Sequence, residues 1–337
     1  MAEERPIWGI HMEMQHGTRP VTDGFVAIGW PRVGDLSKLP SKRESFKKAV
    51  AAAYPKTKPG AIPVVAGTLF KFANEMKKGD LVIYPSKPDR MVNLGIIQSE
   101  YRFNATLDSE FPNRLQVKWS RHIARAEFSQ NALHEIGSAV TLFQVKNNAE
   151  EFIAAFEGKP LEGVDVDAVT AGTASANTEE ITTDFVIKRL KSGLNPTEFE
   201  YFVAHLLERM GYHARVTQQS GDGGVDIIAH KDELGFEDPI IKVQCKQTLS
   251  KMGQPEVAQL HGHVEARQHG LFVTLGDYTP QARQFERAKH NLRLIDGEEL
   301  VALIFNHYDR FEPRYQVLLP MKKVYIPSSI SSNDVVD

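Results

Sequence analysis

Asp226, Gln244 and Lys246 are the residues of this chain whose types and spacing could do chemistry together. Strand side chains alternate between faces. In 240–247, Ile241, Val243 and Cys245 therefore share an apolar face, and Lys242, Gln244 and Lys246 share a polar one. In 225–230, Val225, Ile227 and Ala229 point one way and Asp226, Ile228 and His230 the other. If the two strands pair with their apolar faces together, a carboxylate, an amide carbonyl and an ammonium converge on one side of a sheet. Phosphodiester hydrolysis needs a group to hold a hard cation, a way to position and deprotonate water, and positive charge against a pentacoordinate phosphorus. Asp226 would bind Mg²⁺ through oxygen, with Mn²⁺ as a substitute. The Gln244 carbonyl would complete or orient the coordination, and Lys246 would hold the attacking water or offset developing charge. Glu200 sits at the border of a helical apolar stripe and is read as an auxiliary carboxylate that assists metal binding. The trio alone leaves open an ordinary solvated strand face.

The elements around these residues follow from pattern. Asn195-Pro196-Thr197-Glu198 is a helix start, with Asn as N-cap, Pro at the first helical position and Glu placed to close a capping box. Phe199, Phe202, Val203, Leu206, Leu207 and Met210 recur at helical steps until Gly211 ends the run. Strands are expected at 214–217, 225–230, 240–246, 271–275 and 292–295, and helices at 255–267, 280–289 and 298–305, which gives a mixed sheet flanked by helices. Further upstream, β-branched and aromatic segments at 24–30, 80–84, 93–98 and 115–119 are punctuated by Gly, Pro and Asp and predict a small barrel. Helices at 43–53, 70–77 and 149–156 would lie around it. A small, polar, acidic stretch without aromatic residues separates the two regions and reads as a flexible linker.

Several ordered segments resemble the catalytic domain of the Mrr family of restriction endonucleases. They are Phe199-Glu200, Met210-Gly211-Tyr212, the run from Gly221 through Asp226 to Ala229, Val243-Gln244-Cys245-Lys246, and Leu294-Ile295-Asp296-Gly297-Glu298-Glu299-Leu300. The resemblance covers about 190–305. It implies a PD-(D/E)XK nuclease fold, Mg²⁺-dependent DNA cleavage and catalytic roles for Asp226, Gln244 and Lys246. The general pattern of that fold has Glu where Gln244 stands, whereas the Mrr family uses Gln. An amide brings one less negative charge, so cation affinity is expected to be weak until DNA phosphate joins the site. Upstream, Phe25-Val26-Ala27-Ile28-Gly29-Trp30, the run from Gly79 to Lys87, and Leu94-Gly95-Ile96-Ile97 are similar to PUA-like domains of the EVE kind. Members of that superfamily hold a modified or flipped base in an aromatic-lined pocket. Trp30, Tyr84 and Trp119 are the candidate walls, with Ser86 as an edge contact; core packing is the competing reading for the aromatics.

The expected architecture is thus α+β and multidomain. A PUA-like β-barrel reader with helices spans 1–158, a linker 159–183, a restriction-endonuclease-like α/β domain with a mixed sheet 184–315, and a Ser-rich tail 316–337. The 337 residues suffice for two cores, and 40 Lys+Arg against 43 Asp+Glu put no basic field over the whole chain. No apolar run is long enough to span a membrane and the N-terminus lacks a secretory pattern, so a cytoplasmic location is expected. A single cysteine excludes an internal disulfide and a cysteine-built zinc cluster. Cys245 itself reads as a core residue. Asp222 is read as shaping a Gly-rich turn, and His11, His16 and His122 lack metal-ligand spacing. Lys118, Arg121 and Arg125 fit either a phosphate contact or a solvated patch. The reading that follows is a defence nuclease acting on modified double-stranded DNA, with one metal site per chain favouring a homodimer or DNA-induced pairing. Two alternatives stay open. The first domain could sense a nucleotide signal or a partner protein, or the chain could bind nucleic acid without cutting it.

Overall fold

In a computed structural model of the protein, the residues described are 6–12, 17–87, 89–106, 109, 111–137, 140–161, 178–217 and 224–323. The chain divides into two units, 1–169 and 170–337. Asp222, His16, the segment 162–177 and the Ser-rich stretch from Ile326 lie outside the described residues.

In the first unit the strands are β1 (Ile7–Ile10), β2 (Phe25–Ile28), β3 (Leu81–Ser86), β4 (Met91–Ile97), β5 (Arg102–Phe103), β6 (Asn113–Ala124) and β7 (Leu142–Val145). The helices are α1 (Arg19–Thr22), α2 (Arg43–Ala53), α3 (Ile62–Phe70), α4 (Gln130–Ile136) and α5 (Ala149–Glu157). The ladder runs β2-β6-β4-β3-β1-β7, with β5 also on β6. One end of β6 pairs with β2 and the other with β4, and its register with β4 slips between Leu94 and Gly95. A Cβ on Gly95 would lie 2.7 Å from Val117 Cγ1 and 2.8 Å from the Lys118 carbonyl oxygen, so only glycine admits this close approach. The bulge helps the sheet curl. Among the described residues no ladder joins β7 to β2, so a curled, open sheet stands where a closed barrel was expected.

Both faces of the curled sheet are covered. Trp8, Ile10, Val26, Ile28 and Val82 pack with Phe46 and Val50 of α2 and Leu69 of α3. Ile7, Ile83, Val92 and Leu94 pack on the opposite side with Leu133 and Ile136 of α4 and Phe152 of α5. Two-sided burial makes β1 and β2 apolar throughout, which hides the period of two. For the same reason β1 is invisible to an alternation search. Helix α3 starts well before the expected 70–77, and a π-helical turn, Lys71–Glu75, ends that stretch. Its run Ile-Pro-Val-Val-Ala-Gly-Thr-Leu-Phe is apolar nearly all round and shows no stripe.

The second unit contains α6 (Thr178–Ser192), α7 (Pro196–Arg209), β8 (His213–Val216), β9 (Ile227–His230), β10 (Ile240–Lys246), α8 (Gln254–Gly262), β11 (Gln268–Thr274), α9 (Pro280–Arg287), β12 (Leu292–Ile295), α10 (Gly297–His307) and α11 (Pro313–Leu318). The sheet order is β12-β11-β10-β9-β8. β10, β11 and β12 are parallel, and β8 and β9 add antiparallel, a mixed sheet. The capping box is present, with Glu198 N–H donating to Asn195 Oδ1 and Asn195 N–H to Glu198 Oε2.

Two elements extend past the boundaries read from sequence. Helix α6 begins inside the stretch taken as a linker, and it buries Thr183, Val186, Ile187 and Leu190. At the other end, residues 316–318 belong to α11 and Leu319 after it is buried, although both fall in the expected tail 316–337. Buried His205 on α7 packs against Phe311 and Tyr315, and its Nε2 accepts the Glu312 N–H (3.3 Å). Burial holds this imidazole below its ordinary pKa, so the contact is made by neutral histidine.

Candidate active site

Asp226 stands one residue before β9, where the ladder slips. The regular pairing sets Ile227 against Val243. The Asp226 N–H nevertheless donates to that same Val243 carbonyl (2.8 Å), so β9 departs from β10 here. Two residues along β10, the Cys245 N–H donates instead to Asp226 Oδ2 (2.7 Å). Thr217 fastens the segment from the other side. Its N–H donates to the Asp226 carbonyl (2.9 Å) and its hydroxyl to the Val225 (2.7 Å) and Asp226 (3.2 Å) carbonyls.

Gln244 is only 4% exposed, not on a solvated face. The face it shares with Ile228 and Phe272 is covered by α8 and α9, through Val257, Leu260 and Ala282. Its Oε1 is buried and accepts no hydrogen bond. Beside it Gly224 adopts φ +92°, and a Cβ there would lie 2.7 Å from Gln244 Nε2. An orphaned buried acceptor is costly unless something else satisfies it.

Lys246 ends β10 with its side chain exposed. The following residue, Gln247, donates through Nε2 to the Leu190 (2.7 Å) and Leu194 (2.6 Å) carbonyls, and Lys191 Nζ donates back to the Gln247 carbonyl (2.9 Å). This lashing ties the end of β10 to the turn that starts α7, the helix carrying Glu200. Burial raises the Glu200 pKa, Asp226 raises it further, and Lys246 opposes both. Burial likewise raises Asp226, against the pull of the Cys245 N–H and Lys246. Glu200, Asp226 and Lys246 therefore act on one another electrostatically, and Gln244 lies two residues from Lys246 on the same strand face. Cys245 is buried, and burial together with Asp226 and Glu200 pushes its thiol well up, which disfavours a thiolate nucleophile. Sequence reasoning missed Thr217 and Gln247, because both work through contacts distant in the chain.

The donor set is two carboxylates and an amide carbonyl, oxygen ligands suited to a hard divalent cation. Such a cation would satisfy the orphaned Gln244 Oε1 and favour ionisation of both raised carboxylates, so the residues fit one. Among the described residues no group of three or more His, Cys, Asp or Glu side chains is arranged to hold a metal ion, so a cation here would rest on the two carboxylates, the amide oxygen and added ligands such as water or phosphate.

The first unit's candidates are placed differently. Tyr84 and Ser86, on β3, are buried, and the Tyr84 ring lies 6.3 Å from that of Trp119 on β6. The Trp119 indole N–H donates to the Pro20 carbonyl (2.9 Å). Burial raises the Tyr84 hydroxyl, with Ser86 opposing. Trp30 follows β2 in the left-handed region (φ 61°, ψ 55°) and packs against the same core as Trp119. A bulky residue in that conformation is strained, and such strain concentrates at ligand sites. Arg121 is engaged at the end of α5, donating to the Phe156 carbonyl (3.2 Å), and Arg125 is buried, whereas Lys118 and Arg121 are both exposed. His122 Nδ1 lies 2.6 Å from Asn93 Oδ1.

Residues 191–304 match the Mrr catalytic family, described as a restriction endonuclease. The second unit carries an Mrr-type restriction endonuclease domain. Over 121 residues the chain is 34% identical to the type IV methyl-directed restriction enzyme EcoKMrr of Escherichia coli (strain K12), a match covering 34% of this chain and 39% of that one. The chain thus spans about two fifths of that relative. Residues 9–146 match a domain of unknown function. Among solved structures, the MspJI restriction endonuclease in complex with a 27-mer oligonucleotide aligns at TM-score 0.34 and 17% identity, covering 72% of this chain and 63% of that one. The DNA modification-dependent restriction endonuclease AspBHI aligns at TM-score 0.35 and 18% identity, covering 72% and 67%. Within the Mrr-type domain fall Glu200, Asp226, Gln244, Lys246, Thr217 and Gln247. Trp30, Tyr84, Ser86 and Trp119 fall in the part of unknown function.

Proposed function

We propose that this chain is a Mg²⁺-dependent, modification-dependent DNA endonuclease of type IV restriction. In this reading residues 1–158, within the first unit, are a PUA-like reader and residues 184–315 are the nuclease. The observation that carries it is the set of two raised carboxylates, a lysine and an orphaned buried amide oxygen inside an Mrr-type domain. Asp226, Gln244 and Glu200 would hold Mg²⁺, or Mn²⁺ in its place. The bound cation would supply a Lewis acid against the phosphoryl oxygens and a more acidic water. Lys246 would orient the attacking water and offset the negative charge that grows on the phosphoryl oxygens. The Cys245 N–H fixes one Asp226 oxygen and leaves the other free to ligate. Thr217 and Gln247 hold the strand ends that carry Asp226 and Lys246.

In the first unit, Trp30, Tyr84 and Trp119 are proposed to wall the site of a flipped modified base, with Ser86 at its edge. A pocket of this kind reads a base by stacking and edge hydrogen bonds. Cutting both strands with one site per chain calls for two copies on the DNA.

The test is cleavage, in Mg²⁺, of matched duplexes carrying cytosine, 5-methylcytosine, 5-hydroxymethylcytosine or its glucosylated form. Cutting confined to one modified duplex, and lost in Trp30→Ala, is the expected result. Equal cutting of all four would overturn the reader while leaving the nuclease, and would direct attention to a nucleotide signal or a partner protein. Binding without cutting of any duplex would leave a nucleic-acid-binding protein. A second expectation concerns Thr217→Val, which keeps shape and removes the hydroxyl. It should cost about 1 kcal/mol in denaturant unfolding and slow single-turnover cleavage about tenfold, with Thr217→Ser restoring the rate. An unchanged rate would remove Thr217 from the positioning of Asp226.

A further inference from the structure

Basic residues are gathered in one stretch of the first unit. Residues 31–79 hold eleven Lys and Arg against three Asp and Glu, whereas the other 288 residues hold 29 against 40. A chain of net charge −3 thus carries one strongly cationic segment. Helix α2 is its centre. Phe46 and Val50 face the core at 0% exposure, and Lys48, two positions from each, stands on the opposite, exposed side. At the start of the helix Lys42 and Arg43 are exposed. Ser41 Oγ donates to Asn74 Oδ1 (2.7 Å) and Arg43 pairs with Glu75 (3.5 Å), which brings that end beside the turn carrying exposed Lys77 and Lys78. At the other end the Tyr54 hydroxyl accepts the Arg32 N–H (3.1 Å), the Arg32 guanidinium lies 5.7 Å from the Tyr54 ring centroid, and exposed Lys56 and Lys58 follow.

The acids of this segment are engaged locally. Glu44 pairs with Lys47 (2.6 Å), Glu75 with Arg43, and Asp35 accepts the Ser37 N–H (3.1 Å) and hydroxyl (2.7 Å). Next in the chain, buried Asp80 accepts the Trp8 indole N–H and the Lys77 N–H. Exposed Glu100 stands beside Tyr101, whose hydroxyl reaches Asp35. Among the described residues Lys42, Lys48, Lys56, Lys58, Lys77 and Lys78 make no ion pair. Cations set together without local acids repel one another, and a polyanion relieves that repulsion while releasing its own counterions. The face also borders a candidate base-pocket wall. Trp30 directly precedes Pro31 and packs against the core that Phe46 and Val50 join.

We propose that α2 and the turns at its two ends dock on the phosphate backbone of duplex DNA, whatever its bases or their modification. Phosphate contacts position a protein on the duplex, and base contacts specify where it acts. The proposal rests on the DNA reading put forward above and gives it a backbone-holding surface separate from the base pocket.

The test is binding of the full chain, in EDTA and across a salt series, to a cytosine duplex, the same duplex with 5-hydroxymethylcytosine, and an RNA duplex of the same sequence. Lys42→Gln/Lys48→Gln/Lys56→Gln/Lys58→Gln removes four exposed charges that support no core. Lys146→Gln/Lys159→Gln/Lys322→Gln/Lys323→Gln removes four exposed charges elsewhere. Near 0.1 M salt the first variant should bind both DNA duplexes at least about tenfold more weakly and by one common factor, with the slope of log K against log salt shallower by about two to four. The second variant should match wild type. Wild-type affinity in the first variant, or equal losses in the two, would overturn this face and leave DNA binding standing. A loss confined to one DNA duplex would place these lysines in base reading and overturn a backbone face. A loss on the RNA duplex without one on DNA would assign the face to RNA. Wild type that binds neither DNA duplex up to about 100 μM would overturn the face and the DNA reading together.

Discussion

Asp226→Asn is expected to slow DNA cleavage on the order of 10³-fold while leaving the protein at least as stable as wild type. The amide keeps an oxygen for the Cys245 N–H, so the strand end stays fastened. What it removes is the charge that draws the cation. The stability sign follows from linkage. Asp226 and Glu200 both have folded pKa values raised above the ordinary 3.8 and 4.5, chiefly by burial. Raised carboxylates contribute stability that is fully present below the unfolded pKa and lost as pH rises through the folded one. At neutral pH, without metal, their ionised forms oppose folding, and the neutral amide does not. Urea unfolding in EDTA should therefore show wild type losing stability from the ordinary carboxylate range up to the raised folded values, and Asp226→Asn losing less. In excess Mg²⁺ wild type should gain stability and the variant should not. An active Asp226→Asn protein would remove Asp226 from the chemistry. A variant markedly less stable than wild type at neutral pH would reverse the electrostatic argument.

Gly224→Ala is expected to reduce cleavage about a hundredfold by disturbing Gln244. Two effects meet at this glycine. Its φ of +92° penalises any Cβ, costing about 1–2 kcal/mol. A Cβ would also stand 2.7 Å from Gln244 Nε2, and the glutamine, 4% exposed, has little room to retreat. Gly211 separates the two effects. It too has φ +92°, at the end of α7, but nothing lies within 4 Å of a Cβ built on it. Gly211→Ala should lose comparable stability in denaturant and keep wild-type cleavage. Equal activity losses in the two variants would show that backbone strain alone, and not the orientation of Gln244, controls the rate.

The second unit's plan was legible because its signals are local. Asn195 to Glu198 specify a helix start through one another's side chains, and the apolar steps from Phe199 to Met210 set which face is buried. The alternation in β10 separates Gln244 and Lys246 from Val243 and Cys245 without reference to any other strand. What escaped depends on distant partners. Gln244 reads as solvated from its strand alone, and its burial appears only in the folded chain. The slip at Asp226 shows in no pattern, since it arises where β9 turns away from β10. Thr217 and Gln247 look like ordinary polar residues, and only the carbonyls they reach, at Val225 and Asp226 and at Leu190 and Leu194, give them a task. In the first unit the difficulty is two-sided burial, which removes alternation from β1 and β2 and made the curl of the sheet unreadable. Helix α6 was obscured by its acidic, Thr-rich start, although Val186, Ile187 and Leu190 supply a buried face.

The central claim is that Glu200, Asp226, Gln244 and Lys246 form a metal-dependent phosphodiesterase site. The most direct measurement incubates the full chain with plasmid DNA bearing 5-methylcytosine or 5-hydroxymethylcytosine, in Mg²⁺ and in EDTA, alongside Lys246→Ala. Linearised plasmid in Mg²⁺ alone, with none from Lys246→Ala despite retained DNA binding, is the result predicted. Cleavage that persists in EDTA or in Lys246→Ala, or binding of these plasmids with no cleavage by wild type under any of the conditions, would contradict the account.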